Sequence, residues 1–158
     1  MKEFDFLKHE VQTWTERLAN LSEDLTLRRD TSGDKFHIEL DKQALDNRGV
    51  AGELLLRRAE KIKTRFGEDF RIGRFAGFDL FIRSGFNNTA ELVLRGKNSY
   101  STRVTDNALG TIRSLESTVQ GFEERAARLE ADIKDSQKRA TELEAKAIAA
   151  GQRNVGPS

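Results

Sequence analysis

Few residues in this 158-residue chain are of the types that do covalent or metal chemistry. Cysteine is absent and there are two histidines, which leaves out disulfides, thiolate nucleophiles and sulfur-ligated metals together. A zinc-protease arrangement starting at His9-Glu10 needs a second histidine four residues on, and Thr13 stands there. His9 reads as a solvated residue of an amphipathic helix, and His37, between Phe36 and Ile38, as a strand-face residue. No metal and no cofactor is expected. The carboxylate pairs Glu68-Asp69 and Glu123-Glu124 fall in an expected loop and on an expected solvated helix. Neither place supplies the burial that raises a general acid's pKa. Gly73, Gly77, Gly85 and Gly96 fall within or between strands, where turn and bulge roles fit and a phosphate loop does not. The chain therefore reads as one that binds and does not catalyse.

What it could bind is written in its charge. The whole chain is formally +1, but the charge is segregated. The first 47 residues hold seven bases and eleven acids, whereas Arg48 to Arg103 holds twelve bases and six acids. Within that basic stretch Arg57, Lys61 and Arg65 recur at i, i+4 and i+8 on one face of an expected helix. Arg71, Arg74, Arg83 and Arg95 lie on expected strands, with Phe75, Phe81 and Phe86 nearby. Cations interleaved with aromatic rings suit phosphate contacts and stacking on single strands. These seven residues are the candidate surface for DNA, RNA or a protein partner, although no recognition motif accompanies them. An ordinary solvated face, with some bases paired to nearby acids, is the competing reading.

The elements that must position these side chains can be read from periodicity. From Lys2 to Leu27 the apolar residues Leu7, Val11, Trp14, Leu18, Leu21 and Leu25 step by 4 and 3 alternately, a heptad seam. From Asn107 to Ala150 the same alternation runs through Ile112, Leu115, Val119, Phe122, Ala126, Leu129, Ile133, Ser136, Ala140 and Leu143. Gly110 and Gly121 each weaken that second helix by ~1 kcal/mol. At ~1.5 Å per residue the two helices are roughly 35 Å and 65 Å long. An antiparallel coiled-coil hairpin is expected, with the turns after Ser136 left to overhang, open to a second chain or to the remainder of a longer one. Residues 151–158 read as a disordered tail.

Between the seams, residues 36–104 read as an α+β insert. Phe36 to Leu40 alternates, Asp41-Lys42 suits a tight turn, and a short strand follows near Ala44-Leu45. A helix from about Gly49 to Phe66 turns Ala51, Leu55, Ala59, Ile62 and Phe66 to one side. A meander follows from Phe70–Phe75, Phe78–Arg83, Ala90–Arg95 and Tyr100–Val104, with Phe78, Leu80, Ile82, Leu92 and Leu94 facing inward. So small a body needs the base of the hairpin to complete its core. The fold class expected is α+β. No run approaches the ~18 uninterrupted apolar residues of a membrane span, and the start of the chain lacks a signal peptide's apolar run. A soluble, cytoplasmic protein without membrane contact is expected.

Several of these stretches form one pattern. They are Asp46-Asn47-Arg48 with Ala51-Gly52-Glu53-Leu54, Ile72-Gly73-Arg74-Phe75-Ala76-Gly77-Phe78, Leu94-Arg95-Gly96 with Tyr100, and Gly110-Thr111-Ile112-Arg113-Ser114-Leu115-Glu116. In order and spacing they resemble the C-terminal region of very large phage and mobile-element proteins that join an adenine-specific DNA methyltransferase to a Swi/Snf-type helicase. The resemblance covers about Phe36 to Ile133. It carries none of the methyltransferase's Pro-Pro motif, the helicase nucleotide loop or the DEAD-type box. It implies an accessory module of DNA-processing machinery, either a piece of such a protein or a module kept free. Expected partners are nucleic acid or the helicase and methyltransferase machinery. Two alternatives stand beside this: a mobile-element inhibitor of a host defence effector, of anti-CRISPR or anti-restriction type, and a homodimeric coiled-coil scaffold.

Overall fold

The computed structural model describes residues 2–62, 68–85, 87 and 89–155. Helix α1 spans Lys2–Leu27, and a single 3-10 turn, Gly33–Lys35, leads to strands β1 (Ile38–Leu40) and β2 (Gln43–Leu45). Helix α2 spans Arg48–Ile62. The meander comprises β3 (Asp69–Phe75), β4 (Phe78–Ser84), β5 (Ala90–Arg95) and β6 (Ser99–Arg103), followed by helices α3 (Ala108–Gln120) and α4 (Phe122–Val155). The architecture is α+β, with a six-stranded antiparallel sheet in the order β2-β1-β3-β4-β5-β6. No helix among the described residues is long and apolar enough to cross a membrane.

The chain divides into two compact units, Met1–Ser22 with Glu123–Ser158, and Glu23–Phe122. The division departs from the expected boundaries for a local reason. The seam expected over 107–150 is interrupted at Gly121, the C-cap of α3, before α4 starts at Phe122. Upstream of that cap, Ile112, Leu115 and Val119 are buried with Phe122 in the α+β unit. Their 3-4 spacing therefore serves a globular core. The last turn of α1 joins the same unit. Helix α4 continues to Val155, five residues into the expected tail.

Two turns tie the sheet together. Asp41 and Lys42 both hold positive φ, 50° and 68°, the two-residue hairpin geometry whose twist matches that of the strands. Ala76 and Gly77 repeat it at 53° and 91° between β3 and β4. In β3 the pairing shifts between Arg71 and Gly73. This bulge inserts Ile72 and moves the alternation by one, so Asp69, Arg71 and Arg74 all face the same side. The opposite face of the sheet carries Ile38, Leu40, Phe75, Phe78, Leu80, Ile82, Leu92, Leu94 and Tyr100, all buried, with α2 lying against β1, β2, β4 and β5 and α3 against β6. Phe78, Tyr100 and Phe122 form an aromatic cluster, with ring centroids 4.4–6.4 Å apart.

Candidate functional site

The cross-strand register brings the strand-borne arginines together on the outer face of the sheet. Three rungs cross it. The first runs Asp69, Arg83, Glu91, Arg103; the second Arg71, Phe81, Val93, Ser101; the third Glu39, Arg74, Asp79, Arg95, Ser99. In the first and third rungs acid and base alternate from strand to strand, so opposite charges are directly opposed, which stabilises a sheet. The middle rung sets Phe81 and the fully buried Val93 between Arg71 and Ser101.

The pairs are close. Arg83 holds Asp69 through two parallel bonds, Nε to Oδ1 at 2.8 Å and Nη2 to Oδ2 at 3.1 Å, the fork-to-carboxylate geometry available to arginine. Arg95 lies across the Phe81 ring, 4.1 Å from its centroid, and reaches Asp69 Oδ2 at 2.7 Å. Arg71 and Arg74 share Asp79, at 3.2 and 3.6 Å, and Arg74 also donates to the Gly77 carbonyl. The Arg83 hydrogen bonds, with the charges of Arg83 and Arg95 behind them, hold the Asp69 carboxyl below its ordinary range against the opposing pull of partial burial. The same contact raises Arg83. Asp69 was expected in a loop; it instead heads β3 as the acceptor shared by two guanidiniums.

The helix-borne candidates behave differently. Arg57 and Lys61 are exposed on α2, and no ion pair engages either among the described residues. Arg65 lies outside the described residues. Glu53, four residues before Arg57, and Glu60, next to Lys61, are also exposed and share that outward face by helical spacing. The stripe is therefore mixed in sign. The remaining cations of α2 are spent: Arg58 pairs with Asp41 at 2.9 Å and Arg48 with Glu116 at 2.7 Å.

One carboxyl that the sequence reading missed organises the opposite end of the unit. Asp24, in the last turn of α1, is fully buried. Its Oδ1 accepts from the Lys97 backbone N–H at 2.7 Å, and its Oδ2 from the Asn98 N–H at 3.0 Å and the Tyr100 hydroxyl at 2.6 Å. A Cβ at position 96 would collide with this carboxylate and with the Phe78 ring, so Gly96 and Tyr100 of the Leu-Arg-Gly motif both serve Asp24. The other motif residues also make packing contacts. Arg48 links its motif to Glu116, donates to the Gly33 carbonyl and covers the Phe36 ring at 4.6 Å. Asn47 accepts from the Val50 N–H at 3.0 Å, and Asn107 caps α3 by accepting from Gly110. A Cβ on Gly73 would drive into the Glu39 carbonyl of β1.

His9 and His37 are both exposed, and no group of three potential metal ligands forms among the described residues. Glu123 and Glu124 occupy the first turn of α4, where a negative charge suits the helix dipole. No family model, curated protein or solved structure matches this chain.

Proposed function

We propose that this chain is a non-catalytic docking module of DNA-processing machinery from a phage or mobile element, and that it engages a protein partner in preference to nucleic acid. The observation that carries this preference is the pairing of the strand arginines. A phosphate-binding surface works by bringing cations whose field is open to the backbone, and Arg71, Arg74, Arg83 and Arg95 are each engaged by Asp69 or Asp79. Among the described residues of the helix stripe, Arg57 and Lys61, interleaved with Glu53 and Glu60, make a weak footprint. A sheet face of matched charge around the half-buried Phe81 instead suits a protein surface of complementary pattern.

The machinery context rests on the motif resemblance, whose residues here are structural contacts and not catalytic groups. We read segments 2–22 and 123–155 as an antiparallel coiled coil. Leu7, Leu21, Ile133 and Ser136, all seam positions, are buried, and both segments belong to one compact unit.

The test is anisotropy of labelled single- and double-stranded DNA and RNA at 50 and 200 mM salt. The expected result is non-specific binding only, no tighter than ~10⁻⁴ M at the higher salt, with the shallow salt slope of one or two phosphates. Submicromolar affinity that falls steeply with salt and disappears in Arg57→Glu/Lys61→Glu would overturn the preference for protein.

A further inference from the structure

Strand β6 ends the sheet, and its register decides which of its backbone groups are open. The Gly85 N–H donates to the Thr89 carbonyl at 2.9 Å, making that a hydrogen-bonded pair. Hydrogen-bonded and non-hydrogen-bonded pairs alternate along an antiparallel ladder, so Glu91, Val93 and Arg95 bond back to β4, while Leu92 and Leu94 bond to Thr102 and Tyr100 of β6. The Gly96 N–H to Asn98 carbonyl bond, 2.9 Å, continues the same phase. The N–H and C=O groups of Ser99, Ser101 and Arg103 consequently point away from the sheet. All three residues are exposed, and no hydrogen bond occupies these outward groups among the described residues.

Natural sheets blunt a free edge with proline, a bulge or very short length. The other edge, β2, is three residues long. β6 is five residues with an unbroken register and no proline. A groove lies at the end of the sheet, where the second half of β6 meets the segment leading into β5, and continues past it. One part, about 620 Å³, is lined by Gly85, Thr89 and Glu91 and by Ser101 to Val104. The adjoining part, about 430 Å³, shares Thr89, Ala90 and Val104 and has aliphatic walls of Leu56 and Ala59, with the carboxylates of Glu60 and Asp106. Aliphatic walls with the exposed Asp106 carboxylate beside them match one side-chain class, the long aliphatic stem and cationic head of lysine or arginine.

We infer that the β6 edge accepts an extended segment of a partner protein as a seventh strand, with a lysine or arginine of that segment in the Leu56/Ala59/Glu60/Asp106 groove. Backbone bonds to Ser99, Ser101 and Arg103 would supply affinity, and the groove would supply selectivity, the division of labour in strand addition. This deepens the protein-docking reading by naming the partner's conformation and charge.

The test uses the full chain, isotope-labelled, with the peptide acetyl-Val-Lys-Val-Lys-Val-Lys-amide. The glutamate analogue and a peptide N-methylated at alternate residues serve as controls. The lysine peptide is expected to slow amide exchange at Ser99, Ser101 and Arg103 by at least tenfold, and neither control should do so. Ser101→Pro removes one outward N–H while sparing the β5 ladder, as edge proline does, and should weaken binding at least tenfold; Asp106→Asn should weaken the lysine peptide selectively. No protection at these amides up to 1 mM peptide, an equal response to the glutamate peptide, or perturbation confined to α2 would each overturn the inference. Its failure is separable from that of the preceding reading. Tight nucleic-acid binding with these amides still protected would sink only the earlier preference; weak nucleic-acid binding with unprotected amides would sink only this one.

Discussion

Replacing Asp24 by alanine removes the buried acceptor that three donors share at the last turn of α1. The Tyr100 hydroxyl is nearly inaccessible, with its residue 3% exposed, and would lose its bond to the carboxylate, a hydrogen bond to a charged group worth about 1–3 kcal/mol. The Lys97 and Asn98 N–H groups lie in a turn that water reaches, so each should lose nearer 1 kcal/mol. The sum, about 3–5 kcal/mol, is large for one substitution and belongs to the class in which a buried network is broken. At ~2–4 °C per kcal/mol for a chain of this length, the melting point of the α+β unit should fall by roughly 6–20 °C. Urea denaturation, with amide exchange of β5 and β6 as a local readout, measures it. Tyr100→Phe alone should cost about 1–2 kcal/mol, and the double variant should cost at least 1 kcal/mol less than the two singles added, because both remove the same bond. A loss below 1 kcal/mol for Asp24→Ala, or strict additivity with Tyr100→Phe, would refute this account of how α1 is fastened to the β5–β6 turn.

Two further outcomes are expected. Gly73→Ala forces a methyl into the Glu39 carbonyl across the β1–β3 pairing, so β1 must move away. A loss above about 3 kcal/mol in urea denaturation is expected, and a variant of wild-type stability would contradict the described bulge. Because Asp69 is held below its ordinary range in the folded chain, it contributes stability above the unfolded carboxylate value near 3.9, and that contribution disappears as pH falls through its lower folded value. Asp69→Asn should therefore narrow its gap to wild type as pH drops from 6 to 2 in parallel urea titrations; a gap constant over that window would show that the Arg83 and Arg95 contacts do not favour the charged form.

The strands were the legible part of the fold. Alternation over Phe78 to Arg83 and Ala90 to Arg95 marks their buried face residue by residue, because one covered sheet face imposes a period of two. The bulge at Ile72 was not legible in the same way. Arg71 and Arg74 lie three apart, and an unbroken strand would put them on opposite faces; only the pairing partner reveals the inserted residue. The cap at Gly121 was also concealed, since the seam's 3-4 rhythm passes from Val119 to Phe122 and on to Ala126 whether the helix is continuous or restarted. Of the candidate site, the residue types were visible but not their partners. Arg83 with Asp69 and Arg95 with Asp69 are 14 and 26 residues apart, and cross-strand pairing leaves no trace along the chain. Nothing along the chain sets Asp24 apart from the other acids of α1, because its partners lie 73 to 76 residues away.

The alternating rungs of the sheet also bear on encounter with a partner. A surface whose opposite charges sit one strand apart, ~4.8 Å, has a potential that cancels within a few ångströms of its surface, well inside the ~8 Å over which physiological salt screens charge. Approaching molecules feel no long-range pull toward this face and no torque that orients them. Association should therefore proceed near the unsteered 10⁵–10⁶ M⁻¹s⁻¹ and change little with ionic strength, and selectivity should be expressed in how long a complex lasts once its charges are in register, not in how often it forms.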